Sequence, residues 1–145
     1  MTWSRILVGT DGTERAGRAV AHAASLAAAV SAELTIVTAY GSSGTSQAEA
    51  APADLAWAAT AAAGAEDVAY RAADSARSAG APKVRTRTVN AAPADGLAQV
   101  AEDIQADLIV VGSKGMTSSL RFLTGSVPNE LSHHIRRDLL IVRTD

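Results

Sequence analysis

The feature that most constrains this chain is its alternation of short apolar runs with longer amphipathic stretches, repeated along all 145 residues. Runs of this length suit strands and are too short for helices. Residues 5–9, Arg-Ile-Leu-Val-Gly, form the first run, closed by the turn chemistry of Thr10-Asp11-Gly12-Thr13. From about 14 to 29 small apolar residues recur at helical spacing. Ala16, Val20, Ala23 and Ala27 make one stripe, leaving Arg15, Arg18 and His22 for the other faces. Residues 34–39 read as a second strand. Residues 41–52 are Gly/Ser/Ala-rich without periodicity and read as a flexible loop, merging into helix between 53 and 66. The helix is well marked over 66–79, and Gly80 and Pro82 end it.

The same grammar continues to the end of the chain. Over 84–89 apolar residues alternate with Arg85, Arg87 and Thr88, as suits the edge of a sheet. Pro93 opens a helix to about 104 with Leu97, Val100, Ala101 and Ile104 inward. Residues 107–112 are the most strongly apolar strand; a Gly/Ser loop, a helix over 127–135 and a last strand over 139–142 follow. The order β-α-β-α-β-α-β-α-β predicts an α/β fold, a single doubly wound five-stranded parallel sheet with helices on both faces. One domain over 1–145 is expected from the length. Such sheets bind ligands outside the strand carboxyl ends, where the strand order switches.

Composition narrows the function classes. Thirteen Lys and Arg stand against 15 Asp and Glu, and aromatics are only 3%. That leaves neither a general electrostatic grip on nucleic acid nor stacking platforms for single strands. The absence of cysteine excludes disulfides, thiolate catalysis and Cys-ligated metals. No run approaches a membrane span, and no secretory leader is visible, so a cytoplasmic location is expected.

The chemistry concentrates after the fourth strand, where Gly112, Gly115 and Gly125-Ser126 follow the spacing Gly-x2-Gly-x9-Gly-Ser. At about 7% glycine, that frame with a hydroxyl residue arises by chance in roughly 0.5% of chains this long. Glycines let a backbone approach an anion closely. Gly125-Ser126 stands where a helix begins, with Pro128 suited to its first turn. The unpaired N–H groups of that turn form a natural phosphate cradle. Lys114 and Arg121 are the nearest cations. The plainer reading is that these are loop glycines and an ordinary N-cap. Asp11 likewise is either a ligand contact or a turn residue.

Taken with the first strand and its turn, with Ala92-Pro93-Ala94 before the third helix, and with the terminal Leu-Leu-Ile-Val strand, this frame resembles the universal stress protein family over nearly the whole chain. The resemblance implies an adenine nucleotide lying across the strand carboxyl ends. ATP, with or without Mg2+, is the favoured ligand, and cyclic AMP or AMP the alternative. It places Gly9, Thr10 and Asp11 beside the nucleoside and Ala39 in the adenine slot. Gly112, Gly115, Gly125, Ser126 and Val127 hold ribose and phosphates, with Ser113 and Lys114 completing the set. It further implies a homodimer paired through the C-terminal strand, 139–143. The chain departs from the family where Ala91-Ala92-Pro93 replaces a glycine-containing turn, and where Asp138-Leu139 replaces a Cys-Pro pair.

Other sites are set aside. No Walker A loop or Gly-x-Gly-x-x-Gly is present. Adjacent His133 and His134 diverge by about 100° on a helix and make a poor metal pair. No catalytic triad or metal set is readable. The expectation is a nucleotide-binding sensor or regulatory module in stress response, with at most weak ATP hydrolysis, since no residue to position an attacking water stands out.

Overall fold

Ile6, Leu7 and Val8 are wholly buried in strand β1 (Arg5–Gly9), which forms the middle of the sheet in this computed structural model. The structure describes residues 3–41, 52–113 and 126–144. After β1 come α1 (Glu14–Val30), β2 (Glu33–Tyr40), α2 (Pro52–Ser78), β3 (Lys83–Asn90), α3 (Pro93–Ile104), β4 (Leu108–Gly112), α4 (Ser126–His134) and β5 (Asp138–Val142). The five strands are all parallel and lie in the order β3-β2-β1-β4-β5. The chain winds outward from β1 to β3, then returns to build β4 and β5 on the other side. The strand order therefore switches between β1 and β4, which is where this architecture places ligands.

Alternate side chains of the strands face opposite layers. Ile6, Val8, Leu34, Ile36, Leu108 and Val110 meet α1 and α2, while Leu7, Val37, Ile109 and Val111 meet α3 and α4. β1 beyond Arg5 and all of β4 are buried on both faces, which accounts for their apolar runs. The predicted stripe Ala16, Val20, Ala23 and Ala27 is buried, joined by Ala19 and Ala24. Alanines bring α1 close to the sheet; α2 uses the same device through Ala65, Ala69, Ala73 and Ala76. This is why a chain with so few aromatics still packs a core.

The element boundaries move by a residue or two from the sequence reading, with one larger difference. α2 begins at Pro52 and runs for 27 residues, so the stretch 53–66 is helical throughout. Its alanines have the highest helix propensity of any residue, and that suffices without an amphipathic pattern. The expected flexible loop falls largely on residues 42–51, which lie outside the described residues. β3 is the edge strand its alternation predicts, with Lys83 and Arg85 paired to Glu33 and Arg87 to Asp103. These exposed pairs add little stability, but charge along an edge discourages further strand pairing. The opposite edge, β5, differs: Leu140 and Ile141 stand exposed, Ile141 by 48%.

Candidate functional site

The site residues assemble because parallel strands end together. Gly9 closes β1 and Gly112 closes β4, both buried, on the two adjacent strands that flank the switch point. The Thr10 N–H donates to the Val37 carbonyl at 2.9 Å, which carries the β1 ladder one residue beyond the strand. Ala39 lies two residues further along β2, half-buried. Gly9, Thr10, Asp11, Ala39, Gly112 and Ser113 thus sit at one end of the sheet, as the sequence predicts. Lys114, Gly115, Gly125 and Arg121 lie outside the described residues.

The turn after β1 is built by its own polar side chains. Asp11 Oδ1 accepts from the Thr13 N–H at 3.0 Å and from the Thr13 hydroxyl at 2.6 Å. Thr13 in turn caps α1, its Oγ1 accepting from the Ala16 N–H at 3.2 Å. Gly12 takes φ +85° between them, a conformation that side chains with a Cβ rarely adopt. Both readings of Asp11 are therefore compatible in one side chain. Oδ1 sets the turn, and neither of these two bonds uses Oδ2.

On the other side of the switch point, Ser126 is the first residue of α4. Val127 is 6% exposed and packs with Ile109, Val111 and Leu131, so its side chain belongs to the core. Any ligand contact by Val127 is through its backbone N–H, one of the donors that the first helical turn leaves unpaired. Pro128 has no N–H to leave unpaired. Ser113 is tied down twice: its N–H donates to the Val142 carbonyl at 2.7 Å, and its Oγ accepts from the Thr144 N–H at 3.2 Å.

Several residues near this end carry no signal in the sequence motifs. Thr38, 5% exposed, buries its hydroxyl oxygen with no hydrogen-bond partner among the described residues. It shares the α1/α2 face with Thr88, its register partner on β3, and follows Ile36 where an aliphatic residue would fit. Gly96, inside α3, lies so close to the sheet that a Cβ there would sit 2.6 Å from Val89 Cγ1 and 3.4 Å from Ala39 Cβ. A glycine interrupting a helical pattern is the one clue to such an approach. A cleft of about 250 Å³ opens between α1 and α2, lined by Thr10, Gly12 and Thr13 on one side and by Val68, Arg71 and Ser75 on the other. Among the described lining residues, Thr10 alone belongs to the predicted set, so this cleft adjoins the strand-end site without coinciding with it. No helix among the described residues is long and apolar enough to cross a membrane, and no three His, Asp or Glu side chains among them converge as a metal site.

Comparison with known proteins matches this arrangement to one family. The sequence profile of the universal stress protein family matches residues 2–143. Universal stress protein Rv1636 of Mycobacterium tuberculosis is 37% identical over 147 aligned residues, covering 98% of this chain and 97% of its own. A universal stress protein solved in complex with cAMP superposes with a TM-score of 0.74 at 34% identity, over 100% of both chains. The universal stress protein UspA from Lactobacillus plantarum superposes with a TM-score of 0.81 at 24% identity over 99% of both chains, a likeness of fold.

Proposed function

Since the chain belongs to the universal stress protein family, we propose that it binds an adenine nucleotide across the carboxyl ends of β1, β2 and β4 and acts as a sensor or regulatory module in stress response. The observation that carries this reading is the convergence of Gly9, Asp11, Ala39, Gly112 and the first turn of α4 on one end of the sheet, at the switch point. Glycines at both strand ends put no side chain where the ligand would lie. Asp11 Oδ2 accepts a ribose hydroxyl or holds a hydrated cation, Ala39 borders the base, and the N–H groups of Ser126 and Val127 face the phosphates. Lys114 with the glycine frame at 115 and 125 completes the phosphate contacts.

ATP is the ligand expected from the glycine frame. Cyclic AMP is the second reading, favoured by the 34% identical relative solved with it. Backbone N–H groups serve a single phosphate as well as three, so geometry leaves both open. Two copies pair through β5, whose exposed Leu140 and Ile141 supply apolar contact along an open edge. The protein works in the cytoplasm, where these nucleotides are abundant.

The deciding experiment is mass spectrometry of nucleotide retained by the purified protein, followed by thermal shift with ATP, ADP, AMP and cyclic AMP. A ligand present at 100 times its Kd raises stability by about 2.7 kcal/mol. The reading predicts such a shift with at least one adenine nucleotide; no shift at millimolar concentration with any of them refutes it.

A further inference from the structure

Ser113 leads out of β4 into the loop that carries the glycine frame, and its hydroxyl is held by a residue from the far end of the chain. Thr144 is fully buried, at 0% exposure, although it lies beyond the last strand. Its N–H reaches the Ser113 oxygen at 3.2 Å, while its carbonyl accepts from Arg18 Nη1 on α1 at 2.8 Å. A guanidinium on the first helix thus connects through one residue's backbone to the hydroxyl at the start of the phosphate loop. We infer that Arg18 is a positioning residue for the phosphate end of the ligand, acting through Thr144 on the Ser113 hydroxyl; this rests on the nucleotide reading above.

The chemistry of the hydroxyl makes the connection useful. Serine has one O–H donor and two acceptor lone pairs. With a lone pair engaged by Thr144, the Ser113 O–H stays available to donate to a phosphate oxygen. Arg18 fixes the position of the Thr144 backbone and so of the N–H that orients the hydroxyl, and a hydroxyl whose oxygen accepts a hydrogen bond becomes the better donor. Among the described residues, the other polar contact of Arg18 is weak. Its ion pair with Glu14 spans 3.8 Å at a site where the carboxylate is 90% exposed, a geometry that contributes little. The arginine itself is 52% exposed, so removing its charge leaves the core untouched.

The test measures binding of ATP, cyclic AMP and AMP by calorimetry, with adenosine as the phosphate-free control. Arg18→Met keeps the aliphatic stem and removes the donors. Kd for the phosphorylated ligand that the wild type binds rises roughly three- to tenfold, the range expected for one net hydrogen bond. Kd for adenosine stays unchanged, and Arg18→Lys recovers part of the loss. Ser113→Ala produces a similar loss, and combining it with Arg18→Met adds nothing further, as residues in one chain of contacts are coupled. Wild-type affinity in Arg18→Met overturns the inference, as does equal weakening of adenosine or full additivity with Ser113→Ala. A wild-type protein that binds no adenine nucleotide overturns the nucleotide reading and this inference together. Binding by the wild type with no phosphate-specific loss in Arg18→Met overturns this inference alone.

Discussion

Asp11 and Thr13 are joined through a single carboxylate oxygen: Asp11 Oδ1 accepts both the Thr13 N–H and the Thr13 hydroxyl, the latter at 2.6 Å. One side chain thereby closes the turn at the end of β1 and orients the residue that caps α1. The same turn borders the proposed ligand, so substitutions can separate the structural role of Asp11 from the binding role proposed for it.

Asp11→Asn retains an oxygen at the Oδ1 position and removes the negative charge. It should melt within about 0.5 kcal/mol of the wild type, while nucleotide affinity falls about tenfold as a charge-assisted hydrogen bond becomes neutral. Asp11→Ala loses both roles and should cost about 1 kcal/mol of stability in addition. Urea denaturation and calorimetric titration of the two variants check this. An Asp11→Asn protein that binds as well as the wild type would confine Asp11 to the turn.

Two glycines inside helices should respond oppositely to alanine. A Cβ on Gly64 of α2 meets nothing within 4 Å, so Gly64→Ala should stabilise the protein by about 0.5–1 kcal/mol through helix propensity. At Gly96 the added methyl meets the stiff Val89 side chain at 2.6 Å. Gly96→Ala should therefore cost about 1–3 kcal/mol, the penalty typical of overpacking. It should also loosen the base end of the site beside Ala39. Comparing denaturation midpoints of the two variants gives the sign of each effect.

Thr38 presents the opposite problem, a buried hydroxyl oxygen without a partner among the described residues. Thr38→Val keeps the shape and removes the unsatisfied group. The ligand-free protein should gain about 1 kcal/mol, read as a rise in melting temperature. A loss of stability of that size would show that the hydroxyl finds a partner in solution.

The β5 edge predicts the outcome of a single charge. Ile141, 48% exposed on the outermost strand beyond β4, becomes a desolvated lysine in any strand-paired dimer of Ile141→Lys. Sedimentation should show the variant as a monomer where the wild type is a dimer, with the monomer fold intact by circular dichroism. The matching substitution on the charged β3 edge, Thr86→Lys, should leave the assembly unchanged.

The amino-acid sequence by itself determined the order and type of the elements, because burial on one face or two imposes a period that local residues must obey. Residues 6–9 and 108–112 are apolar without interruption since both faces of their strands are covered, and the pattern of 84–89 alternates since that strand lies at an edge. It also nominated the candidate site residues, because glycine spacing and turn residues are local properties. The helical character of 53–66 was harder to read, as alanine forms helix without displaying a face.

Only the tertiary structure decided how those local pieces meet. Val127 belongs to the predicted site set, yet packing turns its side chain into the core, so only its backbone could serve a ligand. Gly96 approaches Ala39, and Arg18 reaches Thr144 across 126 residues of sequence; neither pairing has a period or spacing that could announce it. The distinction is physical. The period of each element is written in neighbouring residues, whereas contacts between distant segments depend on how the sheet is wound, and that winding is what brought the first helix, the last described residues and Ser113 to the same place.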